Sequence, residues 1–344
     1  MTKMITVAFI ALFAALLLTG CLGGGEQPPV QENKTNQTNA TTVVNIIVQT
    51  QTNQTMGQNI TAQPPEENVS VANVTLYEYN PNQTFAVYFL YVGGPGLHGN
   101  AVLIRKGGLS VLVDAGPAEN AGKVLDFLRS HEVHRLDVIV STNADPRNYG
   151  GIGAVADAFP VQEFWWTGEA YGDQAYSALA QRMTNATKRV RIVERGFTQD
   201  LNGMEFRALN PPTTQRFEDV NNDAAVFRVS DRNFTLLLTS GIQTGAQGRL
   251  LNDEKENIQT QVMQAPYYGV GSGTSNIGIF LITAKPKDMI ISGSGDESPA
   301  NGGSREPFKR LMKQYGIAYY ENYVNGTLRI SSDGSSYAIQ AVKG

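Results

Sequence analysis

Few side chains in this chain could hold a metal ion. The 344 residues include three histidines, His98, His131 and His134, and one cysteine, Cys21. Histidine and cysteine are the usual ligands of zinc, and a histidine-built site for two metal ions needs more of them than this. A single cysteine also excludes an intramolecular disulfide. The composition therefore argues against a metal site rich in histidine or cysteine.

The histidines also lack the spacing of a metal motif. His131 and His134 are three residues apart at the end of a predicted helix, whereas the H-E-x-x-H zinc motif needs a spacing of four. The helix dipole favours positive charge at a helix C-terminus, and this explains the pair. His98 lies in a glycine-rich segment, residues 93–99, and is the histidine that we expect at the rim of a pocket.

The charge balance limits the class of partner. Lysine and arginine total 27 and aspartate and glutamate total 31, so the formal net charge is −4. Proteins that grip nucleic acid electrostatically usually carry an excess of basic residues. Nucleic acid is therefore a less favoured partner. The hydrophobic fraction of 41% is enough for a substantial core.

The N-terminus has the pattern of a targeting segment. Lys3 precedes an apolar run at residues 5–18, which suits a signal-peptide core and is short for a membrane span. Residues 18–21 (LTGC) resemble the lipobox of secreted lipoproteins, in which the cysteine sulfur takes a diacylglycerol. The alternative is an uncleaved anchor helix with a chance cysteine. We expect residues 1–21 to be a lipoprotein signal peptide, with Cys21 lipidated at the outer face of the cytoplasmic membrane.

Residues 22–84 have the composition of a disordered stalk, because asparagine, threonine and glutamine dominate while charges and aromatics are few. The one apolar exception, residues 43–48 (VVNIIV), could form a transient strand. Eight Asn-X-Ser/Thr sequons start in the stalk, and three more start at Asn185, Asn233 and Asn325. We expect N-glycosylation of the stalk, and with the lipobox this favours an archaeal cell surface; chance sequons in an Asn/Thr-rich spacer are the alternative. The eight stalk positions are Asn33, Asn36, Asn39, Asn53, Asn59, Asn68, Asn73 and Asn82.

Residues 85–344 are expected to form one folded domain in which strands alternate with helices. Hairpins open and close it, so the pattern predicts an α/β (α+β) fold with two mixed sheets face to face and helices outside. Helices are predicted at 119–131, 151–158, 173–184, 245–257, 276–284 and 305–315. Strands are predicted at 85–92, 101–106, 110–114, 137–142, 162–166, 190–194, 204–208, 224–229, 234–239, 261–264, 288–292, 317–320, 326–331 and 337–341.

Several separated segments carry a family pattern. Residues 99–104 read GNAVLI, 112–117 read LVDAGP, 136–151 read LDVIVSTNADPRNYGG, 236–241 read LLLTSG and 262–269 read VMQAPYYG. In this order they resemble metallo-β-lactamase-fold hydrolases, and most closely the extracellular hydrolase-like domain of ComEC-type competence proteins. The resemblance covers about residues 85–341. It implies a four-layer αββα sandwich with zinc or manganese at the site.

The positions that hold metal ligands in that family carry other residues here. Aligned on the two glycines at 150–151, the family's "SH-D-DH-GG" segment places its histidines at Asn143 and Asn148. Its second aspartate falls at Arg147, whereas Asp145 is retained. The aspartate of the family's first element is Asn100. Amide oxygens are weak zinc ligands, and arginine carries a permanent positive charge.

Three more ligand positions are changed in the same way. The bridging aspartate of the family falls at Gly241, and its paired histidines fall at Tyr267 and Tyr268. Trp165 and Trp166 end a strand, where core or rim packing and ligand stacking are both open. The pocket is therefore predicted to contain Asp114, Asn143, Asp145, Arg147, Asn148, Gly241, Tyr267 and Tyr268, with His98, Trp165 and Trp166 as rim candidates.

The lost metal charge suggests an internal replacement. We predict that Arg147 forms an ion pair with Asp145, and that Asp114 is a second candidate partner, while asparagines and tyrosines close the pocket by hydrogen bonds. The alternative is that the loop has drifted and Arg147 is a surface charge.

Three functions remain open. The missing ligands favour a surface lipoprotein that is a non-catalytic binding or scaffolding pseudoenzyme, without catalytic residues or cofactor, and with an unidentified ligand or protein partner. The second function is an active zinc- or manganese-dependent hydrolase of phosphodiesters such as DNA, as the ComEC resemblance implies. The third is an extracellular ligand-binding lipoprotein that uses the old active-site cleft.

Overall fold

The computed structural model describes residues 85–94, 98–270, 278–295 and 303–342. The predicted signal peptide, Cys21, the stalk with its eight sequons and the strand at 43–48 lie outside the described residues. Within the described ranges, none of the helices combines the length and the apolar character that a membrane span requires.

Strands and helices alternate through the described residues as the sequence pattern predicts. The helices are α1 (Ala121–Ser130), α2 (Pro146–Tyr149), α3 (Ile152–Ala158), α4 (Gln174–Ala186), α5 (Thr244–Asp253), α6 (Gly278–Ala284), α7 (Glu306–Gln314) and α8 (Asn322–Asn325). The strands are β1 (Phe85–Phe89), β2 (Val102–Lys106), β3 (Leu109–Val113), β4 (Leu136–Ser141), β5 (Val161–Trp166), β6 (Arg189–Ile192), β7 (Thr198–Leu201), β8 (Met204–Asn210), β9 (Val226–Asp231), β10 (Phe234–Leu238), β11 (Val262–Gln264), β12 (Asp288–Ile291), β13 (Ala318–Glu321), β14 (Leu328–Ser332) and β15 (Tyr337–Ala341).

The strands form two mixed sheets. The first has the order β15-β14-β1-β2-β3-β4-β5-β6 and the second has the order β13-β12-β11-β10-β9-β8-β7. Strands β3 to β6 are parallel to one another, as are β10 to β13. The carboxyl ends of each parallel set therefore lie at one edge of its sheet, and this edge carries the candidate site.

Alternation along the strands explains the layers. In β1, Phe85, Val87 and Phe89 face the core between the two sheets, whereas Ala86 and Tyr88 face a second core under α1, α3 and α4. A third core lies between the other sheet and helices α5, α6 and α7. A sheet with both faces buried needs apolar residues at consecutive positions, as these strands have. The predicted four-layer αββα sandwich is confirmed.

The differences from the predicted elements are local. Strand β7 (TQDL) is missing from the prediction, because it is a mostly polar edge strand without apolar alternation. The predicted helix at 245–257 ends at Asp253, and Glu254 leaves the helical conformation. Helix α2 is a single turn that sequence periodicity cannot detect; Asp145 caps it by accepting a hydrogen bond from the backbone nitrogen of Arg147.

A buried ion pair joins the sheets at the end away from the candidate site. The Nζ atom of Lys106, at the end of β2, lies 3.0 Å from Oδ1 of Asp231, at the end of β9. Both side chains have no exposed surface. Asp231 has a second and weaker partner in the partly exposed Arg232, whose Nε atom lies 3.6 Å from the same oxygen, so Lys106 supplies most of the compensation for the buried carboxylate.

Candidate functional site

Loops from both sheets meet at the carboxyl ends of their parallel strands. Asp114 follows β3, and residues 142–149 follow β4 in the first sheet. Residues 239–243 follow β10, and residues 265–269 follow β11 in the second sheet. Ligand sites in open α/β sheets generally occur at such carboxyl ends. The structure brings six predicted positions into one contact network: Asp145, Arg147, His98, Asn148, Asn143 and Tyr268.

Arg147 lies at the centre of the site and is paired with Asp145. Its Nε atom is 2.9 Å from Oδ1 of Asp145, and its Nη2 atom donates to Oδ2 of the same carboxylate. The Asp145 side chain is 8% exposed and the Arg147 side chain is 29% exposed. Burial lowers the pKa of Arg147, but the hydrogen bonds and charge of Asp145 outweigh it, so the net direction is upward. The predicted ion pair is present, and Arg147 is not a free surface charge.

His98 completes the surroundings of this guanidinium. Nη1 of Arg147 lies 2.9 Å from Nε2 of His98, and His98 is fully buried. A guanidinium only donates hydrogen bonds, so Nε2 must accept and the imidazole proton is assigned to Nδ1. The His98 ring also packs edge-on against Tyr268 at 4.4 Å between centroids. His98 therefore acts as a neutral hydrogen-bond acceptor inside the site.

Asn148 is the hub of the amide network. Its Oδ1 atom accepts hydrogen bonds from Nδ2 of Asn100 at 3.2 Å and from the hydroxyl of Tyr268 at 2.7 Å. Its Nδ2 atom donates to Oδ1 of Asn143 at 2.9 Å. Asn100 in turn accepts from Nε2 of Gln264 at 3.0 Å, which links the two sheets. These amide atoms are therefore committed to each other.

Asp114 is engaged elsewhere and is not a partner of Arg147 among the described ion pairs. Its carboxylate accepts hydrogen bonds from Thr142, through the backbone nitrogen at 2.9 Å and the hydroxyl at 2.7 Å. The Thr142 hydroxyl also lies 2.5 Å from the hydroxyl of Ser240. Burial raises the pKa of Asp114 to about 7, although the hydrogen bonds from Thr142 act in the opposite direction.

The two tyrosines form a strained turn after β11. Tyr267 and Tyr268 have φ values of 45° and 58°, in the left-handed region that non-glycine residues rarely adopt. The turn places the buried Tyr268 ring 5.1 Å from Cζ of Arg147 and leaves the Tyr267 ring half-buried at 5.5 Å. Burial raises the pKa of Tyr268 well above its ordinary value, so its hydroxyl stays protonated and donates to Asn148. The fully buried Arg305 supports the turn by donating to the Tyr268 carbonyl at 3.0 Å.

Gly241 leaves no room for a side chain. An added Cβ atom would lie 2.9 Å from Oδ1 of Asn221 and 3.0 Å from Nδ2 of Asn143. Both of these amide atoms are buried without a hydrogen-bond partner among the described residues. An aspartate at this position would therefore displace the amides around it. The glycine is matched to the amide network.

The donor set does not fit a divalent metal ion. In the described ranges no three histidine, cysteine, aspartate or glutamate side chains are grouped so that they could hold one. Asp145 and His98 are both bonded to Arg147, whose charge opposes a cation. Asn143 and Asn148 hydrogen-bond to each other. The side chains of the site therefore favour the Arg147–Asp145 pair over a bound divalent ion.

The two tryptophans at the end of β5 lie on opposite faces of the strand. Trp165 is fully buried between the sheets, with its ring 5.0 Å from Phe197, and its indole nitrogen donates to Glu163. Of the roles left open for Trp165, the structure therefore shows core packing and not a rim position. Trp166 points to the other face of β5, where it is half-buried and packs against Tyr176 of α4 at 5.9 Å. Successive side chains of a strand alternate between faces, and here both faces are core.

Other contacts of the site were outside the sequence prediction. Thr142, Ser240, Gln264 and Arg305 carry hydrogen bonds of the network although no motif marks them. Thr142, Ser240 and Gln264 lie at or just after the ends of strands, next to predicted site residues. This position beside predicted residues is the only sign in the sequence that they belong to the site. His131 follows α1 at the opposite end of the sheet, because α1 connects the parallel strands β3 and β4.

The comparison with solved structures identifies the fold. The structure is similar to that of the metallo-β-lactamase fold protein YhfI from Bacillus subtilis, with a TM-score of 0.51 and 10% identity over 73% of this chain and 100% of that chain. A second similar structure is Igni18, a novel metallo hydrolase from the archaeon Ignicoccus hospitalis, with a TM-score of 0.45 and 11% identity over 75% of this chain and 100% of that one. The likeness to YhfI shows that this chain has the metallo-β-lactamase fold.

The sequence comparisons are less informative. The uncharacterised protein YcaI of Escherichia coli (strain K12) is 24% identical over 195 residues, which are 55% of this chain. This chain spans 23% of the length of that curated relative. No protein-family model matches the chain.

Proposed function

We propose that this protein is a cell-surface lipoprotein whose metallo-β-lactamase-fold domain is a non-catalytic binding or scaffolding module. The observation that carries the proposal is the Arg147–Asp145 pair in the middle of the site. It supports a site in which an internal cation has replaced metal ions, so that the fold is retained without metal-dependent hydrolysis.

The charge of Arg147 supports this interpretation by its magnitude. Two unit charges 4 Å apart interact by about 4 kcal/mol at an effective dielectric constant of 20, so a divalent ion at that distance would meet a repulsion of about 8 kcal/mol. The carboxylate that could compensate, Asp145, already accepts hydrogen bonds from Nε and Nη2 of the same guanidinium. Metal binding would therefore require Arg147 to leave the site.

The hydrogen bonds around the Arg147–Asp145 pair support a scaffold that is stable without a bound metal ion. Tyr268 and Asn100 converge on the carbonyl oxygen of the Asn148 side chain, and Gln264 connects Asn100 to the second sheet. Hydrogen-bonded members of a buried polar network rigidify a site, whereas members without a partner, such as Nδ2 of Asn143 among the described residues, are costly. We infer that the network takes over the structural role that bound metal plays in hydrolases of this fold.

The surface location is part of the proposal and is supported by the sequence alone. Cys21 at the end of a lipobox-like segment would attach the chain to the membrane, and the stalk of residues 22–84 would separate the domain from it. Cys21→Ser should move the protein from the membrane fraction to the soluble fraction. Retention in the membrane fraction would favour the uncleaved anchor helix.

Metal content and turnover test the functional proposal. The purified full chain is incubated with Zn²⁺ or Mn²⁺, desalted and measured by inductively coupled plasma mass spectrometry, and then assayed with DNA and with a chromogenic phosphodiester. We expect substoichiometric metal and no turnover above the protein-free rate. Stoichiometric metal with turnover would overturn the proposal.

A matched pair of variants sharpens the test. Arg147→Met removes the internal charge, whereas Arg129→Met removes an arginine from an exposed pair whose side chains are 59% and 81% exposed. We expect any change in metal retention to occur in Arg147→Met, and we expect Arg129→Met to retain as much metal as the wild-type protein. A change of equal size in both variants would point to nonspecific surface binding.

A further inference from the structure

The described domain contains three sequons, in addition to the eight in the predicted stalk. They start at Asn185, Asn233 and Asn325, and each has threonine at the third position. All three asparagines are exposed. They belong to separate elements: Asn185 lies in the last turn of α4, Asn233 between β9 and β10, and Asn325 at the end of α8.

The exposure of these asparagines is unusual for this domain. Only one other asparagine of the described residues is exposed, Asn252, and it is not in a sequon. The remaining described asparagines are buried or half-buried, and none of them is in a sequon: Asn100, Asn120, Asn143, Asn148, Asn202, Asn210, Asn221, Asn222, Asn257 and Asn322. The sequons of this domain therefore lie at exposed asparagines. A large polar group attached to these side chains would point into solvent and would not enter the core.

The side chains of the three asparagines are also not used by the fold. None of their amide groups makes a hydrogen bond to another described residue, whereas the backbone nitrogen of Asn233 donates to the Gly334 carbonyl. Val324, beside Asn325, is 67% exposed. A glycan at any of these positions would displace no buried group.

The threonines of the same sequons are engaged in the folded domain. A transferase that recognises the sequon must reach the hydroxyl as well as the amide, so these contacts oppose recognition of the folded chain. The contacts are as follows: Thr187 donates to the Met183 carbonyl at 2.8 Å, Thr235 donates to Oε1 of Gln261 at 2.8 Å, and the Thr327 hydroxyl accepts from the Tyr91 backbone nitrogen at 3.2 Å.

The sheet topology places two of the three positions far from the candidate site. Helix α4 connects the parallel strands β5 and β6, so its C-terminus with Asn185 lies at the end opposite the site loops. Asn233 precedes β10, whose carboxyl end carries the site residue Gly241, and so lies at the same far end. Asn325 lies near the carboxyl end of β13, at the site end. Glycans at Asn185 and Asn233 would leave the site open.

We propose that Asn185, Asn233 and Asn325 are N-glycosylated, and that the sugar is attached before these segments fold. The donor would be an oligosaccharide linked to a polyprenyl phosphate or diphosphate. The bond between the sugar C1 and the phosphate oxygen breaks, a bond from C1 to the asparagine Nδ2 forms, the amide loses one proton and the lipid phosphate leaves. The inference rests on the cell-surface part of the proposed function.

Mass spectrometry of the full chain purified from membranes of the organism that encodes it tests the modification. We expect glycopeptides at Asn185, Asn233 and Asn325 and an unmodified peptide at Asn252, the exposed control. Each Asn→Gln variant should lose one glycan mass, whereas Asn252→Gln should lose none. Unmodified domain peptides beside glycosylated stalk peptides and a lipidated Cys21 would overturn this inference and leave the surface location standing. A chain without lipid on Cys21 and without any glycan would overturn both.

A second measurement tests the order of events. The unglycosylated folded protein and synthetic peptides that contain the same three sequons are incubated with an oligosaccharyltransferase and its lipid-linked donor. We expect the peptides to be modified and the folded domain to stay unmodified at these three sites until it is denatured. Equal modification of the folded domain and the peptides would contradict attachment before folding.

Discussion

Replacing Arg147 with methionine removes the guanidinium and keeps much of the apolar length of the side chain. The variant leaves the Asp145 carboxylate, which is 8% exposed, without its ion-pair partner, and it removes the donor to Nε2 of the buried His98. Breaking a buried ion pair costs about 3–5 kcal/mol. Because the Arg147 side chain is 29% exposed, solvent screens part of this cost, and we expect a loss of about 2–3 kcal/mol.

Urea unfolding followed by circular dichroism measures this loss. The denaturation midpoint should fall while the slope m stays unchanged, since the surface exposed on unfolding is the same. Arg129→Met, in an exposed pair, should change the free energy of unfolding by less than about 0.5 kcal/mol. The double variant Arg147→Met/Asp145→Asn should recover part of the loss, because the unpaired charge is gone.

The opposite result has a clear meaning. If Arg147→Met unfolds within about 0.5 kcal/mol of the wild-type protein, as surface substitutions usually do, the pair does not stabilise the site. Arg147 would then behave as a charge on a drifted loop, and the account of an internal cation that replaces metal would fail.

Three further variants test other parts of the structure. Burial raises the pKa of Asp114 from 3.8 to about 7, so between these pH values the folded state binds more protons than the unfolded state. The contribution of Asp114 to the free energy of unfolding therefore falls by up to about 4 kcal/mol as the pH rises from 3.8 to 7. Asp114→Asn should flatten this pH dependence in urea unfolding, and an unchanged pH dependence would contradict the buried carboxyl. Lys106→Met should cost about 3 kcal/mol, at the lower end of the range for a broken buried pair, because Asp231 keeps only the partly exposed Arg232 at 3.6 Å among its described ion-pair partners. Lys106→Met/Asp231→Leu should recover most of this loss, and an additive double variant would refute the coupling. Gly241→Ala should cost about 1–3 kcal/mol because the added methyl group crowds the amides around it. Gly122→Ala in α1 is the control: its methyl group would meet open space and should stabilise the protein by about 0.4–1 kcal/mol. Thermal unfolding compares the two variants, and equal shifts of the melting temperature would contradict the close packing at Gly241.

Much of the architecture could be predicted from local patterns. The continuous apolar runs of β4 and of β1 indicate strands with both faces buried, and the alternation of strands with helices indicates layers. The strand that local patterns do not predict is β7. Three of its four residues are polar, and its conformation depends on pairing with β8. Tertiary pairing decides the conformation of such segments, so periodicity alone does not find them.

The candidate site was predictable where one loop contains both partners. Asp145 and Arg147 are two residues apart after a strand, so the ion pair follows from the local sequence and the retained motif. The contact of Gln264 with Asn100 spans 164 positions and required knowledge of how the two sheets meet. The sequence leaves core and rim positions open for Trp165, because its place at a strand end is visible in the sequence whereas the sheet that covers it is not.

Metal binding by the full chain is the most direct test of the central claim, which is that the Arg147–Asp145 pair occupies the role of the metal ions. Isothermal titration with Zn²⁺ and with Mn²⁺ measures affinity and stoichiometry together. We expect no saturable binding at the site and an unchanged Arg147–Asp145 pair. Saturable binding of one or more ions per chain that is abolished by Asp145→Asn would contradict it.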